Sequence, residues 1–236
     1  MTNRQQLLLK FIIKEYIKNA DPIGSDFVVK KGKFALSPAT VRNEMMELEK
    51  QGYISQPHTS AGRIPTEKGY KFYIQNYLDS DQDKVVGKGL KKLENTTREK
   101  NEDETAYIKN LAKNLAEISS GAVMIGFGPN NVYYTGLTNL FSQPEFQDLD
   151  LVHNISSVMD HLDEVIDAVF EKIGDEAEIM IGNGNPFGDD CGAVITKYGS
   201  LGTNSGILGI IGPMRMDYGN NLNLIRYAQK LLEELK

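Results

Sequence analysis

The stretch 36–66, LSPATVRNEMMELEKQGYISQPHTSAGRIPT, constrains the fold of this chain more tightly than any other. Ser37 can accept a backbone N–H bond as an N-cap, Pro38 suits the first helical position, and Gly52 supplies a left-handed residue to end a helix. The spacing predicts a helix of about four turns. Val41, Met45 and Leu48 fall at i, i+4 and i+7, one apolar stripe to bury. The opposite side carries Ala39, Asn43, Met46 and Lys50, flanked by Thr40 and Arg42. Small residues on such a face let a helix approach a DNA groove, where Thr, Arg and Asn can bond base edges and phosphates. It suits plain solvent as well, where the outer face of a single helix usually stands.

The neighbouring segments decide between the two. Residues 3–18 place Leu8, Leu9, Ile12, Ile13 and Tyr16 at helical spacing, with Thr2 and Gln5 as a capping box. DPIGS (21–25) breaks the chain and caps a short segment with Phe27, Val28 and Val29, closed by the turn around Gly32. Two helices and a glycine-containing turn before a capped third make a helix-turn-helix pattern. After it, 53–56 reads as a strand. Residues 57–65 form a small polar loop, with Gly62 for the bend and His58, Thr59, Ser60 and Arg63 as donors. A basic-tipped loop beside such a helix is what a DNA-contacting wing needs to follow the phosphate backbone. A winged helix over 1–78 is therefore expected, closed by 65–78. There Tyr70, Tyr73, Ile74, Tyr77 and Leu78 share one helical face and are core, not a base-stacking platform.

Charge divides the chain the same way. Residues 1–78 hold 12 Lys+Arg against 7 Asp+Glu, while 79–236 hold 14 against 25. A basic front end on an acidic body points to nucleic acid binding by the front end alone. The single cysteine, Cys191, excludes an internal disulfide, fits a reducing cytoplasm, and reads as a buried structural thiol within CGAVIT. No apolar stretch reaches spanning length and no signal peptide is evident, so a cytoplasmic, nucleoid-associated protein without membrane contact is expected.

Residues 79–105 are strongly charged and nearly free of large apolar side chains, a solvated linker with room for some helix. The body, 106–236, opens with a helix to residue 120. Strands follow at 122–127 and 132–135 around an Asn130-Asn131 turn. Residues 144–173 are mostly helical, with Val158, Leu162, Val165, Ile166, Val169 and Phe170 as the core stripe. Strands at 178–181, 192–198 and 207–211 precede a closing helix at 221–235. The expected class is α+β, a sandwich of sheet and helices.

Chemistry in the body is sparse. Gly182-Asn183-Gly184 with Gly188 lacks the capped helix of a phosphate-cradling loop and reads as a strand-connecting turn. His153 and His161 have no third ligand in view, and Asp160, Asp163, Glu164 and Asp167 make a solvated helical face. Arg215 and Asp217 are placed to pair at the turn into the last helix. No nucleophile has a neighbouring base, so no enzyme, metal or cofactor is expected.

DPIGS, LSPATVRNEMMELEKQGYISQPHTSAGRIPTEKGYKFYI (36–74), YTGLTNLFSQPEF (134–146) and IIGPMRMDY (210–218) resemble segments of HrcA, the bacterial heat-inducible transcription repressor family. QPHTSAGRIPT (56–66) is the most discriminating. The resemblance implies a GAF-like dimerisation body with an inserted domain. This chain departs from that pattern between Met124 and Tyr134, where only a short turn is present. It also implies a repressor of chaperone genes that binds an inverted-repeat operator in double-stranded DNA as a homodimer. Heat relieves repression, and chaperonin helps the repressor refold. Ser37, Ala39, Thr40, Arg42, Asn43 and Lys50 would then face the major groove, and His58, Thr59, Ser60 and Arg63 the adjacent backbone or minor groove. A second possibility is a winged-helix regulator whose GAF-like body senses a small molecule near 182–192. A third, an enzyme in the acidic body, finds no support in the residues.

Overall fold

Caps and apolar stripes build the helices between Asn3 and Tyr77 locally. In the computed structural model, which describes residues 1–32, 34–78, 87–97, 103–128, 131–199 and 205–234, the chain divides into two compact units, Met1–Ser80 and Asp81–Lys236. In the first, α1 (Asn3–Asn19) starts with the Thr2/Gln5 capping box and stops at Ala20 in the left-handed region, φ 57°. Helix α2 (Ser25–Lys31) is capped by Gly24 without a side-chain bond, and α3 (Pro38–Lys50) by Ser37, whose hydroxyl accepts from the Thr40 amide. Gly52, φ +77°, turns the chain into β1 (Ile54–Ser55). That strand pairs antiparallel with β2 (Ile64–Pro65), and Ile23 bridges to Arg63 alongside. Helix α4 (Glu67–Tyr77) follows, with Thr66 as its cap. Leu8, Leu9, Ile12, Ile13, Val28, Val41, Met45, Leu48, Ile54, Tyr70 and Tyr73 form the core.

Two buried carboxylates tie these helices together. Glu15 on α1 accepts from Lys31 of α2 at 2.8 Å and from Lys18 at 3.2 Å. Glu44 on α3 accepts from Gln5 of α1 at 2.9 Å and pairs with Arg4. Gly62 differs from expectation. It is not among the residues of positive φ, and what it supplies is space: a Cβ there would lie 2.5 Å from the Ile23 carbonyl carbon and 2.7 Å from that of Pro22.

The second unit is a five-stranded antiparallel sheet in the order β4-β3-β7-β6-β5, built from β3 (Ala122–Gly128), β4 (Asn131–Thr135), β5 (Glu178–Ile181), β6 (Cys191–Tyr198) and β7 (Gly206–Pro213). Alternating side chains divide its faces. Ala122, Met124, Cys191, Ala193, Ile195, Ile207 and Ile211 pack under α7 (Leu137–Phe141), a 3-10 turn (Pro144–Gln147), α8 (Leu149–Asp160) and α9 (Leu162–Phe170). Val123, Ile125, Val194, Leu208 and Ile210 are buried on the other face, where α6 (Glu104–Ser119) and α10 (Tyr218–Glu233) lie. This is the α+β layering that the strand and helix patterns predict.

Three details depart from the sequence reading. The charged segment expected as a solvated connector contains α5 (Gly87–Thr97), which packs on α6 and α10 with Leu93 wholly buried. Arg215, expected to pair with Asp217, is engaged farther away. It binds Glu145 and Gln143, and Asp217 instead caps α10 by accepting from the Asn220 amide at 3.0 Å. Asn131 belongs to β4, and the turn expected at Asn130 lies outside the described residues.

Candidate nucleic-acid interface

Helix α3 turns one side inward and leaves the other bare. Val41, Glu44, Met45 and Leu48 are buried, whereas Ser37, Ala39, Arg42, Asn43, Met46 and Lys50 are exposed and Thr40 is half-buried. The apolar stripe and the opposite polar face thus lie where helical spacing puts them. Their uses differ. The Ser37 and Thr40 hydroxyls stand 2.9 Å apart and complete the cap together, so both have a structural task before any ligand arrives. Lys50 donates to Glu47 on the same helix at 2.7 Å, an exposed pair of little energetic weight. Arg42 and Asn43 make no side-chain hydrogen bond or ion pair within the described residues. A guanidinium and an amide are the groups that form bidentate pairs with guanine and adenine edges.

Beyond β1 the loop folds tightly on itself. Gln56 donates to the carbonyls of Thr59 and Ala61 at 2.9 and 3.0 Å, and the Ala61 amide reaches the His58 carbonyl at 2.9 Å. His58, Thr59 and Ser60 are consequently held outward at the tip. Arg63 is not there. Its amide and carbonyl both bond Ile23 at 2.9 Å, and its Nε and Nη2 lie 3.0 and 2.9 Å from one oxygen of Glu49 on α3. The basic tip expected of the loop is absent, because its guanidinium folds back onto the helix.

Glu49 and Lys68 are the residues that sequence reasoning missed. Lys68 donates to the Gln51 carbonyl at 2.8 Å and lies 4.5 Å over the Tyr53 ring, pinning α4 to the negative end of α3. Neither pairing has a short-range sequence signal. Glu44 does have one: at 100° per residue it falls inside the Val41, Met45, Leu48 stripe, and a carboxylate there demands a partner.

The body offers less. The 182–192 loop is plugged by Phe187, fully buried, and by Asn185, whose amide donates to the Cys191 carbonyl at 2.9 Å. The loop is thus packed from within by its own side chains. A cavity of about 320 Å³ lies at the opposite end of the sheet, walled by Gly126, Ile166, Phe170 and Ile207 with Asp167 and Glu171 at its edge. Cys191 is buried as expected. Burial, then the nearby Asp190 and Glu145 charges, push its thiol up to about 12. His153 and His161 are exposed, and no group of acidic, His and Cys side chains among the described residues could hold a metal.

Comparison with known proteins connects this architecture to a family. The chain is 24% identical to the heat-inducible transcription repressor HrcA of Halalkalibacterium halodurans over 335 aligned positions, covering 100% of this chain and 97% of that protein. It is 27% identical to the protein of the same name from Thermoanaerobacter sp. strain X514 over 333 positions, covering 100% and 97%. The first alignment runs 99 positions beyond the 236 of this chain, so that relative carries residues with no counterpart here. A crystal structure of a hypothetical protein superimposes with a TM-score of 0.80 at 19% identity, covering 100% of this chain and 98% of the other, a likeness of fold. The HrcA protein C terminal domain matches residues 72–221, more than half of the sequence, and the chain therefore belongs to the HrcA family.

Proposed function

We propose that this protein is a transcriptional repressor of heat-shock (chaperone) genes that binds an inverted-repeat operator as a dimer and releases it on heat stress. The carrying observation is the outward face of α3, where Arg42 and Asn43 stand exposed, without a side-chain partner among the described residues, beside a tight hairpin. It occurs in a member of a family whose curated relatives are named heat-inducible transcription repressors. In this reading residues 1–78 are a winged helix-turn-helix. Helix α3 enters the major groove with Ala39, Thr40, Arg42, Asn43 and Lys50, Ser37 stands at its mouth, and His58, Thr59 and Ser60 follow the adjacent backbone. Residues 106–236, together with α5, are a GAF-like body that pairs two copies; the strand order β4-β3-β7-β6-β5 supports that assignment. The protein works in the cytoplasm, where chaperonin assists its return to the DNA-binding form. Among the described residues no helix is long and apolar enough to cross a membrane.

The test is a gel shift of the full chain on the inverted repeat of its own chaperone promoters and on random duplex. Asn43→Ala and Arg42→Ala should each weaken operator binding by about tenfold or more, and random-duplex binding far less. Equal losses on both duplexes remove the base-reading role of this face, and no operator preference in the unaltered chain removes the repressor reading. A second reading, a body that senses a small molecule, rests on the cavity beside Phe170. A thermal shift on adding cellular metabolites would favour it.

A further inference from the structure

We infer that Arg63 is a positioning residue, clasped by Glu49 to set the hairpin against α3, and not a ligand of the DNA backbone. The inference rests on the DNA-binding reading above and changes the role of one residue within it.

Three restraints meet at this position. The backbone of Arg63 is bonded to Ile23 in both directions at 2.9 Å. Gly62 lies so close to the Pro22-Ile23 backbone that no Cβ fits between them, which fixes the approach of the loop. Two guanidinium nitrogens then converge on a single carboxylate oxygen of Glu49, with the Arg63 side chain only 15% exposed. By contrast the Arg4 side chain, also in an ion pair, is 54% exposed. The clasp crosses from the β2 edge of the hairpin to the last turn of the helix proposed to read bases. It therefore controls the angle between the two elements that have to fit one duplex.

Electrostatics argue against a direct phosphate contact. To bind phosphate, Arg63 would exchange one anion for another and leave Glu49, 33% exposed, unneutralised beside a polyanion. In place, the guanidinium cancels a carboxylate that would otherwise repel the backbone. The hairpin then meets DNA through neutral groups, the Thr59 and Ser60 hydroxyls, with His58 between solvent and phosphate. Such a contact releases few counterions.

The experiment uses the 236-residue chain with Arg63→Ala and Glu49→Gln, two partly exposed side chains outside the apolar core, and reads two quantities. The first is the slope of log affinity against log salt on operator duplex. Positioning predicts weaker binding by about fivefold in Arg63→Ala with the slope within about 0.3 of the unaltered chain, whereas losing a phosphate ligand lowers it by about one. The second, measured without DNA, is hydrogen exchange at the Ile23 and Arg63 amides, which should quicken by about fivefold in both variants as the clasp opens. A slope reduced by about one, or exchange unchanged in both variants, overturns the inference. If the unaltered chain binds no duplex, the DNA-binding reading fails by itself and the exchange rates still judge the clasp.

Discussion

Gly62 shows how much a single residue can decide in the smaller unit. Its hydrogen occupies the gap where the hairpin passes the Pro22-Ile23 backbone, and a methyl group there would sit 2.5 Å from a carbonyl carbon that cannot swing aside. Gly62→Ala should destabilise the unit by about 1–3 kcal/mol, read by urea denaturation, and free the hairpin from Ile23. From sequence the glycine looked like a bend, because turns are the commonest use of the residue and the Pro22-Ile23 segment it meets lies about forty positions upstream. Caps are another matter. Thr2 and Ser37 were legible since each acts on an amide a few residues away. Glu49 and Arg63 are fourteen positions apart with a hairpin between them, and no local pattern announces their meeting.

Elements were legible wherever an apolar stripe repeats over several turns, and least so where charge conceals a short one. Helix α5, GKGLKKLENTT, offers only Leu90 and Leu93 among its lysines, so composition argued for solvent. Yet Leu93 is wholly buried, and Thr96 accepts a bond from Asn114 of α6 at 2.6 Å. Leu93→Ala should cost the body about 2–5 kcal/mol, a loss that calorimetry would assign to the second unit. Between α1 and α2, the lysines around Glu15 act on the first unit through pH. The hydrogen bond from Lys31 outweighs burial and holds the Glu15 carboxyl below its ordinary value of 4.5. A lowered native value favours folding above the unfolded value, and that contribution fades as pH falls through the native one. Glu15→Gln should therefore flatten the acid limb of a stability-against-pH curve below about pH 5, and leave less of a difference at the lowest pH.

At the scale of the whole chain, the basic excess of residues 1–78 belongs to the unit that meets DNA in the proposed reading, while the acidic excess belongs to 79–236. Two copies paired through the body should protect two half-sites whose centres are separated by whole turns of about 10.5 base pairs, and sedimentation should find two chains per operator. A single protected half-site with one chain bound would contradict that assembly. The strands of the body were legible one by one, but not the sheet order, since β3 joins β7 across some eighty residues and no local spacing encodes a partner that far away. A separation of about seventy residues likewise brings Arg215 of IIGPMRMDY onto Glu145 and Gln143 of YTGLTNLFSQPEF, so the two downstream family segments form one structural knot. In that sheet, at the start of β6, Cys191, the chain's one thiol, points into the buried core with its pKa raised to about 12. At neutral pH an alkylating reagent finds almost no thiolate in the closed body and no rival sulfhydryl anywhere else. Each opening on warming can thus be written permanently into one carbon–sulfur bond, and the adduct fraction becomes a running tally of a repressor's thermal excursions.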